Sequence, residues 1–140
     1  MNELFFLGDP ELDAQHADLF ALMARLAASE HSPSPEESAG FVLGQLGELL
    51  FQHFKSEELL MADLALPATI FSRHAEAHMG ILEELAHIHW EAMMGQAKPL
   101  LDIIAIARRC VEQHLVEFDL MLKPYIARAA AKQGTILTQT

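Results

Sequence analysis

Gln52-His53-Phe54-Lys55-Ser56-Glu57-Glu58-Leu59-Leu60-Met61 is the segment from which both an architecture and a site can be argued. His53 and Glu57 are four residues apart, and this spacing places two residues about 40° apart on one face of an α-helix. Leucine and methionine residues continue the same stripe before and after the pair, so the stripe is predicted to face a core. A histidine and a carboxylate on successive turns of a buried helix face can bind one metal ion.

Apolar residues recur at helical spacing along most of the chain. Alanine, leucine and methionine are abundant whereas valine, tyrosine and threonine are scarce, which favours helix over strand. Short loops separate the amphipathic segments, so the predicted fold is all-α, an up-down-up-down antiparallel four-helix bundle with an N-terminal arm over residues 1-8. One domain is predicted over residues 1-140, with helices at about 10-29, 35-62, 67-94 and 98-131.

Two of these helices contain residues that disturb regular packing. Pro124 has no N–H to donate, so the fourth helix is expected to kink or end early there. Gly40, Gly44 and Gly47 weaken the first half of the second helix, and their spacing allows a neighbouring helix to approach closely.

Composition excludes several classes of partner. The net charge of -11 argues against nucleic acid and anionic membranes as partners. The longest apolar runs are too short and too interrupted to cross a bilayer. The first nine residues lack a basic segment, so no secretory signal is predicted and the expected location is cytoplasmic. Cys110 is the only cysteine, which rules out an intrachain disulfide.

All four apolar stripes carry histidines. One histidine on an apolar face is more often a hydrogen-bonded core residue than a ligand, but His74 and His78 form an i, i+4 pair with few uses besides metal binding. Buried carboxylates need partners, and these stripes carry no lysine or arginine to supply them. The candidate metal ligands are His16, His53, Glu57, His74, His78, His114 and Asp119.

The number of candidates fits two ions better than one. Asp119 follows His114 by five residues, about 140° around an ideal helix, which is poor for chelating one ion but reasonable for bridging two. Nitrogen-rich ligation without thiolate suits iron, manganese, zinc or copper. Five histidines, two bridging carboxylates and a bridging oxide or hydroxide would fill about eleven of the twelve positions of two octahedral ions. The remaining vacancy suits a small neutral diatomic molecule.

The order of these motifs resembles that of the hemerythrin family, in particular the bacterial hemerythrins. A lone histidine is followed by H-x-x-x-E, H-x-x-x-H and H-x-x-x-x-D, which together cover most of the chain. Asp13-Ala14-Gln15-His16 resembles the family's D-x-Q-H, and His53-Phe54-Lys55-Ser56-Glu57-Glu58 resembles its H-F-x-x-E-E. The N-terminal arm departs from the family because it lacks a tryptophan that is common there, and Pro124 is a second departure.

The resemblance implies a non-haem di-iron centre with an oxo or hydroxo bridge. His74, His78 and His114 would hold one iron, whereas His16 and His53 would hold the other and leave the vacant position for dioxygen there. By the same resemblance Glu57 and Asp119 would bridge the two irons. Apolar walls would slow autoxidation. The candidate wall residues, each of which is also an ordinary core residue, are Phe20, Phe54, Val111, Leu115 and Phe118.

Reversible dioxygen binding, as a carrier, store or local supply, is therefore the first hypothesis, with no enzymatic activity expected. An oxygen or redox sensor module and a di-iron enzyme acting on nitric oxide or peroxide are the alternatives. A monomer or small homo-oligomer is expected, and the sequence does not indicate a protein client.

Several polar residues are predicted to lie outside this centre. His31 falls in a loop, and His87 and His89 are expected near the surface. Glu58 and Glu117 are expected to be solvated, with a hydrogen bond to a ligand histidine as the less favoured interpretation.

Overall fold

A computed structural model describes residues 5–139, with side chains described over 5–133. This part of the chain is helical and contains no strand. The helices are α1 (Pro10–Ala28), α2 (Pro35–Asp63), α3 (Ala68–Met93), α4 (Leu100–Arg108), α5 (His114–Glu117) and α6 (Lys123–Gln139). The result is an all-α arrangement in which α1, α2 and α3 pack together with an interrupted fourth helical region. Within the described range, no helix combines the length and apolar character needed to cross a membrane.

The start of α1 is held by two aspartates. The backbone N–H of Leu12 donates to Asp9 Oδ2 over 3.0 Å, which caps the helix, and Pro10 occupies its first turn. Asp13 accepts from the N–H of Leu7 at 2.7 Å and so fixes the end of the arm. Leu7 is buried and belongs to the same apolar cluster as Leu12. Residues 1–4 of the predicted arm lie outside the described range.

The buried apolar side chains form two clusters. The larger one contains Leu19, Leu46, Leu85 and Ile103, and the smaller one contains Leu7 with residues such as Met61, Leu122 and Ile126. Along each helical region, the candidate ligands lie between residues of the larger apolar cluster and residues of the smaller one. His16, for example, lies between Leu12 and Leu19 on α1.

Close approach of α2 and α3 occurs at two of the three glycines. A Cβ atom at Gly44 would lie 3.1 Å from His89 Nε2, and a Cβ atom at Gly40 would lie 3.6 Å from the Ala92 Cβ. Within the described part of the chain, no atom lies within 4 Å of a Cβ placed at Gly47. Gly40 and Gly44 therefore leave room for α3.

The fourth helical region changes geometry twice. A π-helical turn, Arg109–Gln113, separates α4 from α5, and a 3₁₀ turn, Asp119–Leu122, separates α5 from α6. The interruption expected at Pro124 therefore falls before it, and Pro124 lies in the first turn of α6, where a missing N–H costs little. The backbone of α6 continues to Gln139, beyond the predicted end near residue 131.

Candidate metal centre

The structure brings the seven predicted ligands into one buried cluster. They come from four helical regions, and each is at most 5 % exposed. Their donor atoms form two groups that share Glu57 and Asp119. In the first group these two carboxylates are joined by three histidines, His74, His78 and His114, which we call the three-histidine half. In the second group they are joined by His16 and His53, which we call the two-histidine half. Within each group the donor atoms lie within 4.8 Å of one another.

Glu57 directs one carboxylate oxygen toward each half. Its Oε1 lies 2.7 Å from His74 Nε2 and 3.0 Å from His78 Nε2. Its Oε2 lies 3.3 Å from His53 Nε2. The carboxylate is completely buried.

Asp119 divides its oxygens in the same way. Its Oδ1 lies 3.0 Å from His74 Nε2 and 3.1 Å from His114 Nε2. Its Oδ2 lies 3.0 Å from His16 Nε2 and 3.7 Å from His53 Nε2. The α-helix that begins at His114 ends at Glu117, and a 3₁₀ turn begins at Asp119, so these two side chains do not lie on one regular helix on which they would diverge.

Hydrogen bonds do not satisfy every polar atom of this cluster. Among the described residues, Glu57 Oε2 and His114 Nε2 are buried and make no hydrogen bond, although each lies close to an oppositely charged or polar atom of the cluster. His16 Nε2 and His53 Nε2 face each other at 3.1 Å, so only one of them can donate to the other. Unsatisfied buried polar groups cost about 1–3 kcal/mol each. The imidazole nitrogens and carboxylate oxygens fit a transition-metal ion, so the cluster could hold metal ions.

Without a metal, charge in the cluster is balanced by protonated histidines. Burial alone would lower the pKa of His53 and His74, but their close contacts with the Asp119 and Glu57 carboxylates outweigh it and raise each pKa to about 9. Burial and the charge of Asp119 would raise the pKa of Glu57, but close contacts with three histidines lower it to about 2. The pKa of Asp119 is also well below its usual value, because close contacts with four histidines outweigh its burial. The carboxylates therefore stay ionised at neutral pH.

Two of the candidate ligand histidines also contact a polar side chain through Nδ1, the ring nitrogen that faces away from the cluster. His78 Nδ1 lies 2.9 Å from Glu58 Oε2, and His53 Nδ1 lies 2.7 Å from Gln15 Oε1. Glu58 makes the hydrogen bond to a candidate ligand histidine that was the less favoured interpretation, while its side chain stays 38 % exposed. Its contact depends on where α3 places His78, which helical spacing within α2 cannot reveal. Gln15 belongs to the D-x-Q-H motif, but its adjacency to a histidine did not indicate which histidine it would contact.

The candidate wall residues differ in their relation to the cluster. Phe54 stacks on His78 with ring centroids 3.9 Å apart, and Phe118 stacks on His114 at 5.1 Å. Val111 belongs to the larger apolar cluster, and Leu115 is also buried. Phe20 is partly buried and stacks on Phe5, with ring centroids 5.9 Å apart.

A cleft of about 250 Å³ leads from the surface to His74. Phe118 forms part of its lining and also lies 5.4 Å from the His74 ring, between centroids. The cleft thus reaches the three-histidine half, whereas the sequence interpretation assigned the vacant position to the two-histidine half. The lining residues are Thr69, Ile70, Arg73, His74, Glu117, Phe118, Met121 and Leu122.

The other polar residues are largely outside the cluster. The side chain of His87 is 68 % exposed, as predicted. His31, predicted in a loop, ends the 3₁₀ turn Ser29–His31, and its side chain is 79 % exposed. His89 is partly buried against Gly44. Glu117 is exposed, as predicted, and accepts a hydrogen bond from Gln113 at 2.8 Å.

No protein-family model matches this chain, and no curated protein matches its sequence.

Proposed function

We propose that this chain binds dioxygen reversibly at a non-haem di-iron centre, in an up-down-up-down antiparallel bundle of the hemerythrin type. The observation that carries the proposal is the division of Glu57 and Asp119, each of which directs one oxygen to each histidine half. A single ion would not require two buried carboxylates to be divided in this way. Two ions side by side would use both oxygens of each carboxylate.

In this proposal the two halves hold one iron each, and an oxo or hydroxo group completes the bridge between them. Bound iron would supply the capacity to bind and release dioxygen. The protein supplies five imidazoles, two shared carboxylates and buried surroundings. The donor set and the motif order support iron, whereas the donor set alone would also accept manganese, zinc or copper.

The chain's own side chains would also keep water away from the bound ions. Phe54 and Phe118 cover the rings of His78 and His114, and apolar clusters lie on both sides of the ligands along the helices. Restricting water in this way would slow side reactions of a bound oxygen molecule. The cytoplasmic location and the monomeric or small homo-oligomeric state stay predictions from the sequence.

The test is a visible absorption spectrum of the iron-loaded, anaerobically reduced protein, recorded before oxygen, with oxygen, and after oxygen is removed under vacuum. We expect a band that appears with oxygen and disappears under vacuum, with two irons per chain. A band that decays at once to a stable oxidised spectrum would favour the sensor or enzyme alternative. Two bound irons without any oxygen-dependent band would refute the proposal.

A matched variant makes this test specific to the shared carboxylates. Glu57→Gln keeps the side-chain shape but removes the charge that both halves share. We expect it to bind fewer than two irons and to lose the reversible band. Glu48→Gln removes an exposed carboxylate on the same helix as Glu57 and should leave both properties unchanged.

A further inference from the structure

In each histidine half, one histidine contacts a polar side chain through its outward Nδ1 atom, and these two side chains differ in charge. His78, in the three-histidine half, donates from Nδ1 to Glu58 Oε2, an anionic oxygen, over 2.9 Å. His53, in the two-histidine half, donates from Nδ1 to Gln15 Oε1, a neutral amide oxygen, over 2.7 Å. The Nε2 atoms of both histidines face Glu57, which leaves Nδ1 as the outward, proton-bearing nitrogen. The two contacts therefore differ by a full negative charge.

A hydrogen-bond network fixes the orientation of the Gln15 amide. Gln15 Nε2 donates to Ser56 Oγ over 3.1 Å, and Ser56 Oγ donates to Glu11 Oε1 over 3.2 Å. Since an amide nitrogen cannot accept, the oxygen of Gln15 is the atom that faces His53. The carboxylate of Glu11 is thus separated from the ligand by two neutral groups.

An anionic acceptor affects a metal ligand more than a neutral one does. A carboxylate that accepts from Nδ1 draws the proton outward and raises the basicity of Nε2, the nitrogen that faces the centre. A more basic imidazole donates more strongly and favours an ion of higher charge. Water screens part of the Glu58 charge because its side chain is 38 % exposed, but His78 is almost fully buried.

We propose that Glu58 and Gln15 are positioning residues that make the two halves electronically unequal. An ion in the three-histidine half is then bound more tightly, and it is the first of the two to be oxidised. In the iron form, this ion passes from the ferrous to the ferric state and gives one electron to the oxidant. The oxidation order rests on the proposed di-iron function, whereas the inequality in binding does not.

The binding inequality can be tested with zinc, which has no redox chemistry. Zinc is titrated by calorimetry into metal-free wild type, Glu58→Gln, Gln15→Glu and the charge control Glu48→Gln, whose carboxylate is exposed on the same helix as Glu58. Glu58→Gln keeps an acceptor for His78 and removes only the charge. We expect it to weaken one of two binding steps by about 10–100-fold, and we expect Gln15→Glu to strengthen the other step. Equal effects on both steps, or no effect beyond that of Glu48→Gln, would overturn the inference.

The oxidation order is tested by potentiometric titration of the iron-loaded proteins with ferricyanide, which accepts the electron. Glu58→Gln should shift the first oxidation step to higher potential by about tenfold in its equilibrium constant, about 59 mV for one electron. Unchanged first and second steps in a variant that holds two irons would overturn the oxidation order. If Glu58→Gln and Gln15→Glu alter different zinc-binding steps in a protein that never binds oxygen, the inference about these two residues stands and only the proposed function is refuted.

Discussion

Among the candidate ligands, His74 is the histidine in closest contact with both shared carboxylates, Glu57 and Asp119. Its Nε2 lies 2.7 Å from Glu57 and 3.0 Å from Asp119. Its pKa of about 9 shows how strongly these two charges act on it in the absence of metal. Loss of this side chain therefore removes one donor and also leaves two buried carboxylates with less compensation.

We expect His74→Ala to bind fewer than two irons, measured by metal analysis after reconstitution. Substituting a residue that only hydrogen-bonds to a metal ligand lowers metal affinity roughly 10–100-fold, and we expect a larger loss of iron affinity here because a ligand itself is removed. His87→Ala is the matched control, because His87 lies on the same helix and its side chain is 68 % exposed. Two irons retained in His74→Ala would remove His74 from the ligand set.

Phe118 forms part of the cleft lining and packs against two ligand rings. Phe118→Ala should open the path to His74, so a chelator should remove metal several-fold faster and the oxygen-bound form should decay faster. The measurement is the rate of metal loss to excess chelator by stopped-flow absorbance. Phe20→Ala removes a ring that stacks on Phe5 and serves as the control. Equal rates of metal loss in the two variants would show that Phe118 does not limit access to the centre.

At the scale of the elements, the first three helices were predictable because a continuous apolar stripe determines each of them. The fourth region was predicted as one continuous helix with a disturbance at Pro124, but the structure divides it at Arg109–Gln113 and Asp119–Leu122. The 3₁₀ turn at Asp119–Leu122 lets His114 and Asp119 reach one cluster despite their five-residue spacing. The partners of these two side chains lie on other helices, so local propensity along the fourth region does not reveal the break.

The glycines of α2 give a prediction about helix packing. Gly47→Ala should raise the free energy of unfolding by about 1 kcal/mol, because alanine restricts the unfolded chain and a Cβ there meets no atom. Gly44→Ala should raise it less, since His89 must move away from a Cβ only 3.1 Å from its Nε2. Urea unfolding monitored by circular dichroism measures both.

A second substitution isolates the contact between Gly44 and His89. In a His89→Ala background, Gly44→Ala should recover a gain close to that of Gly47→Ala, which gives a measurable coupling between the two positions. Identical gains for Gly44→Ala with and without His89 would mean that the His89 ring does not oppose a larger side chain there.

At the scale of the whole molecule, charge is concentrated in one buried layer with apolar clusters on both sides. The sequence predicted which side chains form this layer, because each ligand lies on an apolar stripe. The residues that contact the candidate ligands through Nδ1 were not predicted, because the contact between Glu58 and His78 joins two helices. In the absence of metal, the layer depends on protons on His53 and His74 to balance Glu57 and Asp119.

The stability of the metal-free protein should therefore depend on pH in a defined direction. His53 and His74 have folded pKa values of about 9 against an ordinary 6.5, so their contribution is complete below about 6.5 and is lost as the pH rises through 9. Glu57 has a folded pKa of about 2 against 4.5, so its contribution is complete above about 4.5 and is lost as the pH falls through 2. Thermal unfolding should show maximal stability between about pH 4.5 and 6.5.

Loading with metal should change this profile, because the ions take over the role of the histidine protons. Binding would release those protons, so the decline in stability between about pH 6.5 and 9 should be smaller in the loaded protein than in the metal-free one. At a free metal concentration about 100 times the dissociation constant, the gain in stability should be about 2.7 kcal/mol. Parallel declines in the two forms would show that metal does not replace the protons on His53 and His74, and the cluster would then be a structural ion-pair network.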